Sequence, residues 1–311
     1  MLSHYHTSVN PDDPNNSHAM MLRMIGFNKR VLEAGCASGH LSEKLHAQGC
    51  AVVGIEIDPD VVEPARPWLE RVVIGNIEDD ALWKELDGEL FDAVLFGDVL
   101  EHLKNPLEAL RNAVRHLESS GMIVMSVPNI AHADVKIALT KGTFPYSDTG
   151  LLDRTHVVFF TKESLLALIR EAGLVATEIS RVTVPVFGTE IGVTKDDVDD
   201  DVLAALLRER DSETYQFIVK AVPDNGTHSL AELHGRLVAL SDQLTELTRR
   251  SDALAIELEN RNAQLHELTL EHENDLRIIA RLTRQTNLVK RLLPAPLRQL
   301  VRKLLRPQAN E

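Results

Sequence analysis

Cysteine and aromatic residues are scarce in this sequence. Its 311 residues include two cysteines, Cys36 and Cys50, and 4% aromatic residues. With no CxxC pair, two cysteines exclude a disulfide framework and a cysteine-rich metal site. We interpret Cys36 as a small residue beside a ligand loop rather than as a redox group. A reducing environment is therefore expected.

Long apolar runs and an excess of positive charge are also missing. No run reaches the roughly 18 residues that span a bilayer, and the N-terminus lacks the basic-then-apolar order of a secretion signal. The net charge of −14 argues against a nucleic-acid-binding protein. We expect a soluble, cytoplasmic protein with one α/β domain of about 200 residues and a second part.

Short apolar runs alternate with helical patterns from residue 30 onward. Nearly continuous apolar strands are typical of a parallel sheet that helices cover on both faces, so the pattern predicts a doubly wound α/β fold. Two later strands, 174–184 and 213–221, would complete a seven-stranded sheet. The earlier strands are predicted at 30–35, 51–57, 70–74, 91–97 and 121–127, and helices at 39–48, 59–67, 79–86, 105–118, 130–140 and 162–173.

The segment RVLEAGCASG at 30–39 has the outline of a strand, a tight turn and a helix start. Gly35 and Gly39 allow the backbone to bend and a ligand to approach main-chain N–H groups. Glu56 ends the next strand, about 20 residues on, where such sheets place the acid that binds a ribose diol. The glycine spacing does not fit GxGxxG, which argues against a nicotinamide dinucleotide.

At these residues the chain resembles the class I S-adenosylmethionine-dependent methyltransferases. GCASG at 35–39 stands at the glycine-rich loop of that family, with Ala37 in place of its middle glycine, and GIEIDP at 54–59 stands at its second strand. The resemblance implies a Rossmann-like sheet and S-adenosyl-L-methionine as cofactor. The cofactor-binding residues it implies are Glu33, Gly35, Cys36, Gly39, Glu56, Ile57, Asn76, Ile77 and Asp98.

Two of these residues follow later strands. By resemblance, Asn76 lies where the family contacts adenine, and an Asn side chain can both donate and accept hydrogen bonds. Asp98 opens the run DVLEHL, and many small-molecule methyltransferases carry a similar EHL there. We expect Asp98 beside the methionine part of the cofactor. The alternative is that Asp98 caps the following turn and His102 packs internally.

The N-terminal 24 residues are interpreted as a polar arm, 1–15, followed by a short helix that Asn16 or Ser17 caps and that runs through Met24. The family resemblance implies that this segment folds over the cofactor, with Asn16 and His18 reaching its amino-acid end. The alternative leaves Asn16 as a cap alone and His18 on the surface.

Residues 141–165 form the least generic segment, KGTFPYSDTGLLDRTHVVFFTKESL. Gly142, Pro145 and Gly150 break its periodicity, and a loop at this point of the fold lies over the ligand edge as a substrate wall. LLDRTHVVFFT is similar to a signature of methyltransferases encoded with bacterial polysaccharide and surface-glycan assembly enzymes. That resemblance implies a glycan acceptor.

Methylation of an oxygen usually requires a base near the hydroxyl, and histidine suits this task near neutral pH. We predict His156 as the base ahead of His102, with Asp153 orienting it or sharing the task. Alternatively, Asp153 and Arg154 pair to hold the loop. The predicted activity is O-methylation of a sugar hydroxyl, with a quinone-like ring, a protein acceptor or a non-catalytic head as alternatives.

Five aspartates, Asp196, Asp197 and Asp199–Asp201, precede a short helical pattern. Acids at a helix start are usually a solvated N-terminus that the helix dipole favours. We therefore predict no metal site.

Beyond the predicted methyltransferase domain at 25–224, residues 228–292 have heptad periodicity. Apolar positions step by three and four residues, with Ser251, Arg261, His272 and Asp275 as polar interruptions. The pattern predicts a coiled coil and self-association into a homo-oligomer. The apolar positions are Leu230, Leu233, Leu237, Leu240, Leu244, Leu247, Leu254, Leu258, Leu265, Leu268, Ile279, Leu282 and Val289.

The tail at 293–311 is basic and amphipathic. From Leu276 to Asn310 there are nine Lys or Arg residues and no acid. Such a helix favours an anionic membrane surface or an acidic partner, and we expect it to meet the inner face of the membrane or a glycosyltransferase. The alternative is a solvated helix end.

Overall fold

The computed structural model describes residues 13–224, 231–294 and 297, and in the C-terminal helix it describes side chains from Ser251 on, with gaps. The chain divides into two compact units, residues 1–227 and 228–311. Most of the predicted arm at 1–15 and nearly all of the predicted tail at 293–311 lie outside the described residues.

The first unit alternates strands and helices, as the sequence predicts. Three 3-10 turns, Glu63–Trp68, Leu100–His102 and Lys195–Asp197, connect them. In chain order the elements are α1 (Ser17–Ile25), β1 (Arg30–Ala34), α2 (His40–Ala47), β2 (Ala51–Glu56), β3 (Arg71–Ile74), α3 (Asp80–Lys84), β4 (Phe91–Gly97), α4 (Pro106–Arg115), β5 (Leu117–Pro128), α5 (Ala133–Thr140), α6 (Lys162–Glu171), β6 (Leu174–Thr183), α7 (Asp200–Leu207) and β7 (Thr214–Pro223).

The seven strands form one sheet in the order β3-β2-β1-β4-β5-β7-β6. Strands β1 to β5 are parallel, and β7 runs antiparallel between β5 and β6. The strand order reverses between β1 and β4, and ligands bind at the carboxyl ends of strands beside such a reversal. The predicted seven-stranded doubly wound sheet is confirmed.

Apolar side chains cover both faces of this sheet. Leu32, Val94 and Phe96 belong to one buried cluster, which also takes in residues of α3, α4 and α6. Val31 and Leu95 point to the other face and pack with residues of α1 and α2. Because successive side chains of a strand alternate between faces, a continuous apolar run supplies both layers of the core.

The predicted helix at 59–67 is wrong. The segment forms a 3-10 turn, Glu63–Trp68, that contains Pro64 and Pro67. Proline has no N–H to donate and its ring clashes with the preceding turn of an α-helix. Two prolines three residues apart therefore shorten the element.

Asn129 follows β5 and is of a residue type that commonly caps a helix, but it does not cap α5. The cap is His132, whose side chain accepts a hydrogen bond from the Asp134 N–H. Asn129 is fully buried, and its amide donates to the Thr214 carbonyl at 2.8 Å. This hydrogen bond connects the end of β5 to the start of β7.

The second unit contains α8, a helix of 62 residues from Ala231 to Leu292. At 1.5 Å per residue this helix is about 90 Å long. Its described leucines are largely exposed, with Leu254, Leu258 and Leu265 all above 60%. Among the described residues, no helix combines the length and the apolar character that crossing a membrane requires.

Candidate active site

The loop between β1 and α2 turns through left-handed backbone at two glycines. Gly35 has φ 67° and Gly39 has φ 84°. A Cβ on Gly35 would lie 2.9 Å from a methyl of Val99, and one on Gly39 would lie 2.6 Å from Ala65. Both positions therefore require glycine, for backbone conformation and for close packing.

Ala37 and Glu56 connect this loop to β2. Ala37, at the middle-glycine position of the family, has φ 45°, a conformation that is strained for a residue with a Cβ. Its N–H donates to Glu56 Oε2 at 2.9 Å, and Glu56 Oε1 accepts from the N–H groups of Ile57 and Asp58. The Glu56 carboxylate thus faces the glycine loop, while the Ile57 side chain is 66% exposed.

Glu33, a predicted cofactor residue, lies in the core under the loop. The Ser42 hydroxyl donates to its Oε2 at 2.5 Å. The pKa of Glu33 is raised to about 8, chiefly by burial and also by the negative charge of Glu56, while the hydrogen bond from Ser42 opposes the shift. Glu33 therefore acts in this structure as a protonated group that supports the start of α2.

This raised pKa makes a testable contribution to stability. From the ordinary value of 4.5 up to about 8, folded protein keeps a proton that the unfolded chain loses, so the free energy of unfolding falls as pH rises. Glu33→Gln should remove up to about 1.4 kcal/mol per pH unit of that fall. The measurement is urea unfolding at several pH values in this window, followed by tryptophan fluorescence, because Trp68 and Trp83 both lie in the first unit.

Glu43→Gln, a partly exposed glutamate of α2, serves as the control and should leave the pH slope unchanged. Parallel curves for wild type and Glu33→Gln would contradict a raised pKa at Glu33.

Cys36 is buried and packs against Val62 and Ala65. Burial raises the pKa of its thiol, and the charges of Glu33 and Glu56 add to the shift. A protonated, buried thiol is unreactive, which agrees with the interpretation of Cys36 as a small packing residue.

Asn76 and Ile77 follow β3. The Asn76 side-chain oxygen accepts the Glu78 N–H at 3.0 Å and closes a local turn. Ile77 belongs to the core, and its carbonyl accepts from the Trp83 indole at 2.8 Å. The pair thus fixes the backbone at the carboxyl end of β3, and adenine contact stays a prediction.

Asp98 directly follows β4 and has a left-handed conformation, with φ 55°. Its N–H donates to Ser126 Oγ at 3.0 Å, and the Ser126 hydroxyl donates back to Asp98 Oδ1 at 2.7 Å. The Gln216 amide also donates to Oδ1. The side chain of Asp98 therefore forms hydrogen bonds with residues of β5 and β7 rather than capping the following turn. The sequence alone did not indicate the roles of Ser126 and Gln216.

The N-terminal helix brings two predicted residues to this edge. Asn16 caps α1 by accepting the Ala19 N–H at 3.0 Å, which confirms the predicted cap. The pKa of His18 is lowered, chiefly by burial. The charge of Asp98 opposes this shift, and the charge of His40 adds to it. His18 is thus half-buried within electrostatic reach of Asp98, and its Nδ1 is buried without a hydrogen-bond partner among the described residues.

Residues 141–160, the cover loop, dock on the segment after β4. The N–H groups of Val157 and Val158 both donate to the Glu101 carbonyl, at 2.8 and 3.0 Å. Further along, the Ile130 N–H donates to the Phe160 carbonyl at 2.9 Å. The loop therefore lies at the carboxyl ends of β4 and β5, where the sequence predicts a substrate wall.

The three predicted catalytic residues meet at this junction. The rings of His102 and His156 lie 4.9 Å apart, edge to face. Asp153 is buried, and its Oδ1 accepts from the Thr155 N–H at 2.7 Å and the Thr155 hydroxyl at 2.6 Å. Thr155 in turn contacts His102 Nδ1 through its carbonyl at 3.3 Å. Asp153 therefore positions His102 through Thr155, a link that sequence reasoning missed.

His156 is half-buried, and its surroundings favour the neutral ring. Burial lowers its pKa and His102 lowers it further, whereas Asp153, a backbone hydrogen bond at Leu151 and Asp98 raise it. The net shift is downward. A neutral imidazole has a lone pair that can accept a proton or bind a cation.

Arg154 lies away from this junction. It forms an ion pair with Asp148 at 3.5 Å and lies 6.0 Å from the centre of the Tyr146 ring. Arg154 thus braces the outer part of the cover loop.

A separate cleft of about 490 Å³ lies at the opposite edge of the sheet. Trp83, Asn112 and His116 are among its lining residues. These residues precede β4 and β5, so the cleft is at the amino ends of the strands and distant from the glycine loop. It plays no part in the site described above.

Comparison with known proteins assigns the family. Residues 17–179 match the model of a protein family described as a methyltransferase domain. The match covers more than half of the chain, so the chain belongs to this family, within the class I S-adenosylmethionine-dependent methyltransferases that its fold and glycine loop define.

Two curated relatives and one solved structure illustrate the likeness. Ubiquinone biosynthesis O-methyltransferases of Xanthomonas axonopodis pv. citri (strain 306) and Xanthomonas campestris pv. campestris (strain B100) are each 32% identical over 167 residues, 49% of this chain and 64% of the relative. The chain thus spans less than two thirds of their length. A SAM-dependent methyltransferase from Archaeoglobus fulgidus aligns with TM-score 0.49 at 19% identity, over 66% of this chain and 91% of that chain.

The residues at this edge fit S-adenosylmethionine, the cofactor of the class. The Glu56 carboxylate lies where ribose hydroxyls bind in such sheets. Ile57 beside it has an exposed apolar side chain that the adenine ring of the cofactor could pack against. The negative charge of Asp98 suits the ammonium group of the amino-acid end. When bound, the cofactor would supply a methyl group whose carbon is electrophilic because it is bonded to a positively charged sulfur. Glu56, Ile57 and Asp98 are the residues that would hold it.

Proposed function

We propose that this protein transfers a methyl group from S-adenosylmethionine to a hydroxyl oxygen, and that the acceptor is a sugar of a bacterial surface glycan. The observation that carries the proposal is the meeting of His102 and His156, 4.9 Å apart, where the cover loop meets the end of β4. A transfer to oxygen requires a group that takes the hydroxyl proton. Two histidines at the cofactor edge supply that chemistry.

Each residue of the junction has a distinct task in this proposal. His156 accepts the proton, because its lowered pKa leaves the ring neutral near pH 7. His102 lies beside it, held by Thr155, and Asp153 fixes Thr155. The cover loop supplies one wall against water, and Ser126 holds Asp98 in place. Together these contacts fix the acceptor oxygen in the geometry that transfer needs.

A phenolic hydroxyl of a quinone precursor is the second candidate acceptor. It is supported by the two relatives that are named ubiquinone biosynthesis O-methyltransferases and by EHL at 101–103. The polysaccharide-associated signature LLDRTHVVFFT at 151–161 favours the sugar.

Methyl-labelled S-adenosylmethionine tests both candidates in parallel incubations. Nucleotide sugars and polysaccharide ends form one set of acceptors, and dihydroxybenzoate-type rings form the other. Label in the sugar set supports the first candidate, and label in the ring set alone overturns it in favour of the second. Cofactor binding without label in either set would redirect the search to other acceptors such as proteins.

We further propose that α8 pairs with a second copy of the chain as a coiled coil. The heptad positions Leu254, Leu258 and Leu265 are each more than 60% exposed in the single chain. A stripe of this kind left in water is unfavourable, because each buried leucine contributes about 1.5–3 kcal/mol. Association of two or more helices along the stripe would bury it.

Leu265→Glu combined with Leu268→Glu should therefore dissociate the oligomer. Both leucines are 61% exposed and lie on the stripe, whereas Leu270, 54% exposed, lies on the opposite helix face. Sedimentation equilibrium of the full chain should show weaker association by at least about 100-fold in the double variant, and no change in Leu270→Glu. A monomeric wild type, or equal dissociation by Leu270→Glu, would contradict the proposal.

Contact of the tail at 293–311 with a membrane surface or a glycosyltransferase stays a prediction, since nearly all of that segment lies outside the described residues.

A further inference from the structure

Three side chains that commonly bind metal ions converge at the end of β4. Glu101, His102 and His156 each place one carboxylate or imidazole atom within 4.8 Å of the other two. Two imidazoles and one carboxylate form a ligand set that binds Zn²⁺ or Fe²⁺ and leaves coordination positions open. Because His156 arrives from the cover loop, no spacing motif in the sequence marks this group.

Glu101 gives a second, independent indication of a ligand. It is 1% exposed, and neither carboxylate oxygen has a hydrogen-bond partner in another described residue. A buried polar group without a partner is costly. A cation at this point would bind the carboxylate oxygens that lack hydrogen bonds.

The His102 ring is oriented as a metal ligand usually is. Its Nδ1 lies 3.3 Å from the Thr155 carbonyl, to which a protonated Nδ1 donates. Nε2 then carries the lone pair. The Thr155 hydroxyl donates to Asp153, which is buried, at 2.6 Å. Metal-binding histidines typically donate their second ring N–H to a carbonyl or carboxylate in this manner.

Binding an ion requires the three side chains to move closer together. Ligand bonds of about 2.1 Å at tetrahedral angles place two ligand atoms of one ion about 3.4 Å apart. Ligand atoms that lie up to 4.8 Å apart would therefore need to approach by up to about 1.4 Å. The rings of His102 and His156 are only half-buried, so side-chain rotation can provide that approach.

We propose that Glu101, His102 and His156 bind a divalent transition-metal ion, and that an acceptor hydroxyl occupies one of its open positions. This rests on the proposed function, since it concerns the same acceptor. With the ion bound, His156 is a ligand, and the hydroxyl proton passes to water because the ion lowers the pKa of an oxygen bound to it. Without the ion, His156 takes the proton. Replacing His156 should therefore impair the reaction both with and without the bound ion.

Calorimetric titration of the chelator-treated full chain with ZnCl₂ tests the site. Wild type should bind one Zn²⁺ per chain, and Glu101→Gln and His156→Asn should each weaken this binding on the order of 100-fold. Glu101→Gln replaces a buried carboxyl group by an amide of the same shape, so the fold should persist. His46→Ala, on the exposed side of α2, is the matched control and should leave the tight site unchanged.

Titration of the same samples with S-adenosylhomocysteine separates the two proposals. Glu101→Gln should bind it as wild type does, which also shows that the variant is folded. Absence of a Zn²⁺ site, or equal Zn²⁺ affinity in Glu101→Gln, overturns the metal site while nucleoside binding leaves the proposed function standing. Zn²⁺ binding that depends on Glu101, without nucleoside binding, supports the metal site and overturns the proposed function. If Glu101→Gln weakens binding of S-adenosylhomocysteine and leaves the Zn²⁺ affinity unchanged, Glu101 contacts the nucleoside and the metal site is overturned.

Discussion

His156→Ala is expected to lower kcat by at least about 100-fold, because a positioned general base contributes a factor of 10² to 10⁴. The rings of His156 and His102 lie 4.9 Å apart, and His156 is a half-buried residue of the cover loop. The measurement is turnover with the acceptor found in the labelling experiment, together with calorimetric affinity for S-adenosylhomocysteine.

The affinity for the nucleoside should stay near the wild-type value in this variant, since Glu56 and the glycine loop are untouched. Thr155→Val, which keeps the side-chain volume but removes the hydroxyl that contacts Asp153, should give a smaller loss of kcat. His46→Ala should have no effect. Full turnover in His156→Ala would remove His156 from the reaction.

Glu56→Gln should weaken binding of S-adenosylhomocysteine by about 10- to 100-fold, as expected for loss of a hydrogen bond to a charged group worth about 1.5–3 kcal/mol. The Glu56 carboxylate accepts N–H groups on both oxygens, from Ala37 on one side and from Ile57 and Asp58 on the other. An amide cannot satisfy both sides, because its NH₂ group would face an N–H donor. The variant therefore loses a ribose acceptor and disturbs the glycine loop.

Asp58→Asn is the matched control for this change. Asp58 is exposed, two residues from Glu56, and its side chain accepts the Asp60 N–H at 2.9 Å. An Asn can keep that hydrogen bond while removing the same charge. Affinity should be unchanged in Asp58→Asn, and equal losses in the two variants would indicate a general charge effect rather than a contact with Glu56. Unchanged affinity in Glu56→Gln would place the nucleoside elsewhere.

The parts of the site that could be predicted are contiguous in the chain. The spacing of Gly35 and Gly39 predicts a tight turn. Asn16 is predicted as a helix cap because an Asn side chain can accept a hydrogen bond from the N–H group three residues ahead. Strands β1, β2 and β4 appear in the sequence as apolar runs because both of their faces are covered. Each of these features depends on neighbouring residues alone.

The parts that could not be predicted depend on tertiary pairing. Ser126 and Gln216 reach Asp98 from β5 and β7, and only the strand order places them there. Thr155 stands between two residues that were predicted, yet its link to His102 exists only after the cover loop folds back. Likewise, Glu101 and His156 are neighbours by virtue of that loop.

Proline accounts for the one predicted helix that was wrong. The segment 59–67 has helical apolar spacing, but Pro64 and Pro67 restrict it to a 3-10 turn. Asn129 is fully buried, and a buried amide must form its hydrogen bonds. Its amide donates to the Thr214 carbonyl, and His132 caps the next helix instead.

The central claim is that the crevice bounded by the glycine loop and Glu56 holds the cofactor with its sulfur towards the cover loop. A crystal structure of the full chain with S-adenosylhomocysteine tests it most directly. The predicted result is a ribose within hydrogen-bonding distance of Glu56 and a sulfur atom facing the His102–His156 junction. A nucleoside bound elsewhere, or a Glu56 that does not contact it, would contradict the account.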